Sequence, residues 1–257
     1  MTKTILITGS TDGIGLLTAQ LLVTAGHRVL LHGRSAAKLE AVADDLGGDT
    51  EIFLADLSDL RQVDALADAV RNRHERLDVL INNAGVFKTP KPVARNGLDV
   101  RFMVNTLAPY RLTRLLLPNI PATGRIINLS SAAQAPVDLV ALKGDKALGD
   151  MEAYAQSKLA ITLWSETLAK ELPGGPIVLA VNPGSLLASK MVRDGFGVAG
   201  NDLHIGADLL VRMATTDDFN KDSGRYWDND AGHFSHIDSS QAVAVVTTME
   251  AVLDGLA

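Results

Sequence analysis

The chain has 257 residues, no cysteine, three tyrosines, two tryptophans and a formal net charge of −6. That length suits a single domain with a buried core, and the missing thiols exclude disulfides, thiolate catalysis, iron–sulfur clusters and cysteine-held zinc. An acidic balance with only 4% aromatic residues excludes a nucleic-acid partner, which needs a basic footprint or stacking rings.

Taken in chain order, residues 1–8 show neither a long apolar core nor a small-residue cleavage site. No apolar run reaches the ~18 residues of a membrane span, so a cytoplasmic protein with no membrane partner is expected. Residues 4–8 read as a buried strand. Ile14, Leu17, Leu21, Leu22 and Ala25 then recur at helical spacing until Gly26. Residues 28–31 form the next strand, and Ser35 is placed to cap a helix with Leu39, Val42 and Leu46 on its apolar face, closed by Gly47-Gly48. Residues 51–54 are β-like, Val63, Leu66, Ala67 and Val70 make a helical stripe, and residues 79–81 are another strand. A helix is expected over 98–117, strands over 126–129 and 177–181, a helix from Tyr154 to about Leu172, and an amphipathic C-terminal helix through Ala242, Val245, Val246, Met249, Val252 and Leu253. Apolar strands alternating with helices predict an α/β fold, a Rossmann-type doubly wound parallel sheet with helices on both faces. No linker or repeat divides it, so 1–257 reads as one domain. Residues 132–150 and the glycine-rich 195–200 lack periodicity and read as mobile loops. The stretches 132–150 and 185–203 are the candidate substrate-site loops.

Between the first strand and first helix stands Thr8-Gly9-Ser10-Thr11-Asp12-Gly13-Ile14-Gly15. Gly9, Gly13 and Gly15 allow a tight turn, close approach of backbone to a pyrophosphate and close contact of helix with strand, and the helix N-terminus adds free N–H groups. Asp12 fits a helix cap. At the end of the second strand, Leu31-His32-Gly33-Arg34-Ser35 carries no carboxylate for the ribose of NAD. Arg34, with Ser35 and Lys38 beside it, suits a 2′-phosphate, so NADP(H) is expected in preference to NAD.

Tyr154 and Lys158 are four apart on a helix and share a face. A phenol of pKa ~10 becomes a useful base near neutrality only if nearby positive charge favours the phenolate, and Lys158 with an oxidised nicotinamide can supply that. Pro109 has no N–H, so in a continuous helix the Asn105 carbonyl would be left without its donor, free to hold a water or merely marking a kink.

These features in this order resemble the short-chain dehydrogenase/reductase family. Thr8–Gly15 matches its TGxxxGxG turn, Asn82-Asn83-Ala84-Gly85 its NNAG, and Tyr154–Lys158 its YxxxK. Residues 127–131 resemble the strand end bearing its catalytic serine, and Asn182-Pro183-Gly184 its PG turn. The resemblance implies a catalytic set of Asn105, Ser131, Tyr154 and Lys158. Tyr154 would be the general acid/base, Lys158 would tune it and hold the nicotinamide ribose, Ser131 rather than Ser130 would orient the substrate oxygen, and Asn105 would complete a water relay. It also implies a cofactor shell of Gly9, Ser10, Thr11, Gly13, Ile14, Gly15, Arg34, Asp56, Leu57, Asn83, Ala84, Gly85, Tyr154, Lys158, Pro183, Gly184 and Leu186. Residues 132–153 between Ser131 and Tyr154 are a longer insertion than many members carry, which resembles the branch of retinol dehydrogenases and protochlorophyllide reductases. Where the family usually has a threonine after the PG turn stands Ala188, leaving Ser189 as its substitute.

The expected function is therefore hydride transfer between NADP(H) and a small carbonyl or alcohol substrate. A non-catalytic NADP(H)-sensing protein of the same fold is the alternative, and it would need none of Ser131, Tyr154 and Lys158. A homodimer or homotetramer through the Tyr154 helix is compatible with the pattern. His233 and His236 near Asp228 and Asp230 read as a solvated loop, so no metal is expected.

Overall fold

A computed structural model describes residues 1–256, and the last residue of the expected domain, Ala257, lies outside the described residues. Strands β1 (Thr4–Ile7), β2 (Arg28–Gly33), β3 (Thr50–Leu54), β4 (Val79–Asn82), β5 (Arg125–Leu129), β6 (Ile177–Asn182), β7 (Tyr226–Asp228) and β8 (His233–Ser235) form one sheet. Their order is β3-β2-β1-β4-β5-β6-β7-β8. Every neighbouring pair is parallel except β7 with β8. The helices are α1 (Gly13–Thr24), α2 (Ala36–Leu46), α3 (Leu60–Arg73), α4 (Val100–Phe102), α5 (Ala108–Leu116), α6 (Leu139–Leu142), α7 (Asp150–Glu171), α8 (Lys190–Phe196), α9 (His204–Thr215) and α10 (Ala242–Asp254).

The alternation of side chains along each strand builds two cores. Leu6, Leu30, Leu80, Ile126 and Val178 face α3, α5, α7 and α10, while Ile5, Ile7, Val29, Leu31, Val79, Ile81, Ile127, Leu179 and Val181 face α1 and α9. From β2 to β6 across the sheet's centre both faces are dry, which is why those strands read as apolar runs, while edge strand β3 leaves Ile52 and Leu54 exposed. Strand order reverses between β1 and β4, opening a crevice at the C-terminal ends of those strands.

The expected helix over 98–117 is not continuous. Met103–Leu107 is a π-turn between α4 and α5, with the Ala108 N–H bonded back to the Met103 carbonyl. Pro109, lacking a donor, stands at the start of α5. The inference of a free Asn105 carbonyl assumed an unbroken α-helical ladder, and that premise fails.

Residues 132–150 are tied down rather than mobile. Asp138 caps α6 through the Val140 N–H at 2.9 Å. Gln241 bonds both the N–H and the carbonyl of Val137, and Val137, Ala141 and Leu142 are buried in the core. Helix α7 begins at Asp150, ahead of Tyr154, where the buried Arg101 joins Asp99 to Asp150. Residues 195–200, expected as loop, include the end of α8 and its left-handed cap Gly197. The C-terminal helix forms as expected, and Val245, Met249 and Leu253 share the α7 core with Trp164. The Tyr110 hydroxyl fixes it by a 2.7 Å bond to Glu250. The chain's own α10 therefore covers the face of α7 that carries Trp164 and Leu168. Among the described residues no helix is long and apolar enough to cross a membrane.

Candidate active site

The turn after β1 is built on main-chain contact. Gly9 and Gly13 have φ of +68° and +57°. A methyl group on Gly15 would stand 2.4 Å from the Gly9 carbonyl oxygen and 2.3 Å from Asn83 Nδ2. Asp12 caps α1 through the Gly13 N–H at 2.7 Å, as its position predicts. The Thr8 hydroxyl accepts the N–H groups of Asn83 and Ala84, each at 3.0 Å. Asn83 Nδ2 donates to the carbonyls of Thr8 and Gly9. The side chain of Asn83 is thereby committed to joining two turns, and only its main chain faces the crevice with Ala84 and Gly85.

One supporting residue escaped sequence reasoning. His32, buried at the end of β2, accepts the Gly9 N–H on Nδ1 at 3.1 Å, and its Nε2 lies 3.2 Å from the Ala55 carbonyl. Those partners require the neutral ring protonated on Nε2. Burial lowers its pKa to about 4. Ser10 is buried too, its hydroxyl accepting the His32 N–H at 2.9 Å. A histidine beside Gly33 at a buried strand end was the available signal. Ser10 and Leu57 bury their side chains, so both can meet a cofactor only through the main chain. Asp56 spends one carboxylate oxygen on Ser58. Arg34 is exposed at the end of β2, and Ser35, expected to cap α2, makes no cap bond with its side chain.

At the ends of β4 and β5 the expected catalytic set converges. Asn105 holds Val86 by both main-chain groups, at 2.8 and 2.9 Å, and donates to the Ser157 hydroxyl at 2.9 Å. Lys158 Nζ donates to the Leu129 carbonyl at 2.7 Å and stands 5.6 Å from the centre of the Tyr154 ring. A methyl on Gly85 would lie 3.5 Å from Asn105 Oδ1, 3.6 Å from Lys158 Nζ and 3.7 Å from Met191 Cε. Phe87 packs edge-on against Tyr154 with centroids 5.2 Å apart. The two serines separate cleanly. Ser130 is buried, bonding the Lys158 carbonyl and Thr162, while Ser131 is half-buried and its hydroxyl opposes the upward push of burial on the Tyr154 phenol.

Burial pushes the Tyr154 phenol up, and the Ser131 hydroxyl opposes that shift. Burial lowers Lys158 itself to about 8.

A strap after β6 closes the crevice. Gly184 has φ +126° and Leu186, without the excuse of glycine, φ +52°. The Asp230 carboxylate accepts from the Ser185 N–H and from Asn182 Nδ2, both at 2.9 Å, and from the Ser185 hydroxyl, and these bonds hold its pKa below the usual carboxylate range against the opposing effect of burial. Asn229 Nδ2 holds the Pro183 carbonyl at 3.0 Å. These contacts also explain Asp228 and Asp230, which serve Asn182 and its turn; among the described residues no cluster of acidic groups and histidines is arranged to hold a metal. Ser189 caps α8 through the Val192 N–H, and its Cβ would lie 3.5 Å from a methyl on Gly13. It therefore stands beside the glycine turn.

The family described as short chain dehydrogenase matches residues 3–196. Retinol dehydrogenase 13 of Homo sapiens is 33% identical over 251 residues, covering 88% of this chain and 76% of that one. An uncharacterised protein of Mycobacterium paratuberculosis superposes with a TM-score of 0.81 at 28% identity, over 98% of this chain and 93% of that one. The landomycin C-6 ketoreductase LanV, solved with NADP and rabelomycin, gives 0.69 at 28% identity, over 88% and 94%.

Proposed function

The chain belongs to the short-chain dehydrogenase family and is an oxidoreductase acting on CH–OH or C=O groups; from that premise we propose that it uses NADP(H), with Tyr154 as the general acid/base, on an apolar carbonyl or alcohol. The observation that carries the proposal is the convergence of Ser131, Tyr154, Lys158 and Asn105 beside Gly85.

The residues present fit a dinucleotide. The cradle of Gly9, Gly13 and Gly15 would lose its shape to any side chain at Gly15. Arg34 and the uncapped Ser35 offer donors where a 2′-phosphate would lie. NADP(H) supplies or takes the hydride. Ser131 holds the substrate oxygen and donates a hydrogen bond to it. Tyr154 gives its proton to that oxygen during reduction and takes it back during oxidation. Lys158 holds the ribose, and Asn105 braces the same helix by joining Ser157 to the main chain of Val86. Ala84 and Gly85 would line the adenosine ribose, and Pro183, Gly184 and Leu186 would flank the nicotinamide. Phe87 against Tyr154, Met191 beside Gly85 and the exposed Leu186 of the strap give the crevice an apolar rim, which suits a substrate of the kind named for the retinol dehydrogenases.

Fluorescence titration should show NADPH binding more tightly than NADH, and tighter NADH binding refutes the role of Arg34. Decanal, benzaldehyde and all-trans-retinal then test turnover. Tyr154→Phe should keep its NADPH affinity and lose about 10²- to 10⁴-fold in kcat. Full activity in that variant refutes the acid/base assignment.

A further inference from the structure

Tyr226 stands outside every motif above, on β7 beside Ala180 and Ser235, and its ring is buried. Its hydroxyl donates to the main-chain carbonyl of Ser131 at 2.9 Å. The same carbonyl accepts Gln134 Nε2 at 2.8 Å. Two donors from two directions thus converge on one peptide in an irregular segment that no sheet ladder fixes. The Ser131 hydroxyl oxygen in turn accepts the Ala133 N–H at 3.1 Å. That bond uses the hydroxyl as an acceptor and leaves its proton to be donated, and the hydroxyl stands near enough to the Tyr154 phenol to oppose the upward push of burial on it.

We propose that Tyr226 is a positioning residue for proton transfer: by holding the Ser131 carbonyl, its hydroxyl keeps the Ser131 hydroxyl aimed at the phenol oxygen of Tyr154 and at the substrate oxygen. The chain of contacts is short. Rotation of the Ser131 peptide would swing its Cα–Cβ bond, and a hydroxyl displaced by about 1 Å no longer makes a useful bond. Burial and the nearby Asp228 push the Tyr226 phenol upward, so it remains a donor at any pH at which the enzyme works. Tyr226 also couples the two halves of the site, because β7 leads directly into Asp228–Asp230, which hold the PG turn.

The inference rests on the Tyr154 and Ser131 assignments above, and the test separates the two. Tyr226→Phe keeps the ring and removes only the donor. With NADPH and the fastest of the three aldehydes, it should lower kcat about 2- to 10-fold, the effect of one hydrogen bond, with NADPH affinity and aldehyde KM unchanged. Gln134→Leu, which removes the other donor to the same carbonyl, should do the same and serves if Tyr226→Phe does not fold. The decisive arm is the Ser131→Ala background, followed by single-turnover oxidation of NADPH. There Tyr226→Phe should have no further effect, since it acts through the serine. An equal loss in that background shows a merely structural role and overturns the inference, as does an unchanged kcat in Tyr226→Phe itself. If Tyr154→Phe or Ser131→Ala retains full activity, it is the underlying assignment that fails.

Discussion

Gly15 and Asp230 both shape the crevice, at opposite ends and by different means. Gly15 works by what it lacks, because the main chain of Gly9 and the amide of Asn83 occupy the space a Cβ would need. Asp230 works by what it supplies, since one carboxylate collects three donors from the turn after β6. The first kind of constraint admits a single residue type and so leaves a mark in the sequence. The second can be met by many polar residues on an irregular segment, and it leaves almost none.

The sharpest way to break this comparison is to fill the space at Gly15. Gly15→Ala should cost NADPH affinity about 100-fold or more, because the methyl strikes both the Gly9 carbonyl and the Asn83 amide that is hydrogen-bonded to the same turn. Titration of NADPH fluorescence measures it. A loss of only a few-fold would mean that the cradle is soft and that its glycines are ordinary loop residues.

His32 sharpens the comparison from the same end. It is a side-chain support within the glycine-built half, so its loss should cost less than that of Gly15. His32→Leu should weaken NADPH binding about 10-fold by leaving the Gly9 N–H without its acceptor. Its pH dependence has a defined sign. The folded-state pKa of about 4 lies below the ordinary 6.5, so the unfolded chain binds the proton more readily. Stability from His32 is complete above pH ~6.5 and is lost as pH falls from there through about 4, amounting to about 3 kcal/mol. Urea melts from pH 7 to pH 4 should show that slope in the native chain and a reduced one in His32→Leu.

The same contrast explains what the sequence disclosed. Strands β1, β2, β4, β5 and β6 were legible because both faces of the sheet are dry there, so runs such as residues 79–81 carry no polar interruption, whereas β3, at the edge with Ile52 and Leu54 exposed, read only as a short β-like run. The glycine turn and the Tyr154–Lys158 pair were legible because their spacing is dictated by geometry. Strands β7 and β8 were not, being three residues each with Trp227, Asp228 and His233 among them. Helix α9 escaped as well, although Leu209, Leu210 and Met213 are buried at helical spacing. The π-turn at Asn105 could not be read at all: Pro109 announces a defect, but i→i+4 and i→i+5 bonding are decided by the surrounding packing. The upward shift of Tyr154 is likewise a product of burial, which spacing alone does not fix.

The smallest expected effect lies at Asp230. Its carboxylate is exposed on one side, so water can replace part of what is lost, and Asn229 continues to hold the Pro183 and Ile205 carbonyls. Asp230→Ala should therefore raise the KM for NADPH only about 3- to 5-fold, leave kcat nearly intact and act at the nicotinamide end. Its pKa is depressed, so its contribution is present above the ordinary carboxylate pKa and fades only as pH falls through the lowered value. Because it shares no partner with His32, the double variant His32→Leu/Asp230→Ala should show the two losses in NADPH affinity multiplied together. If the double variant is no worse than His32→Leu alone, the cradle and the strap are one cooperative unit, and the distinction between a site half built on missing side chains and a half built on added ones would have to be given up.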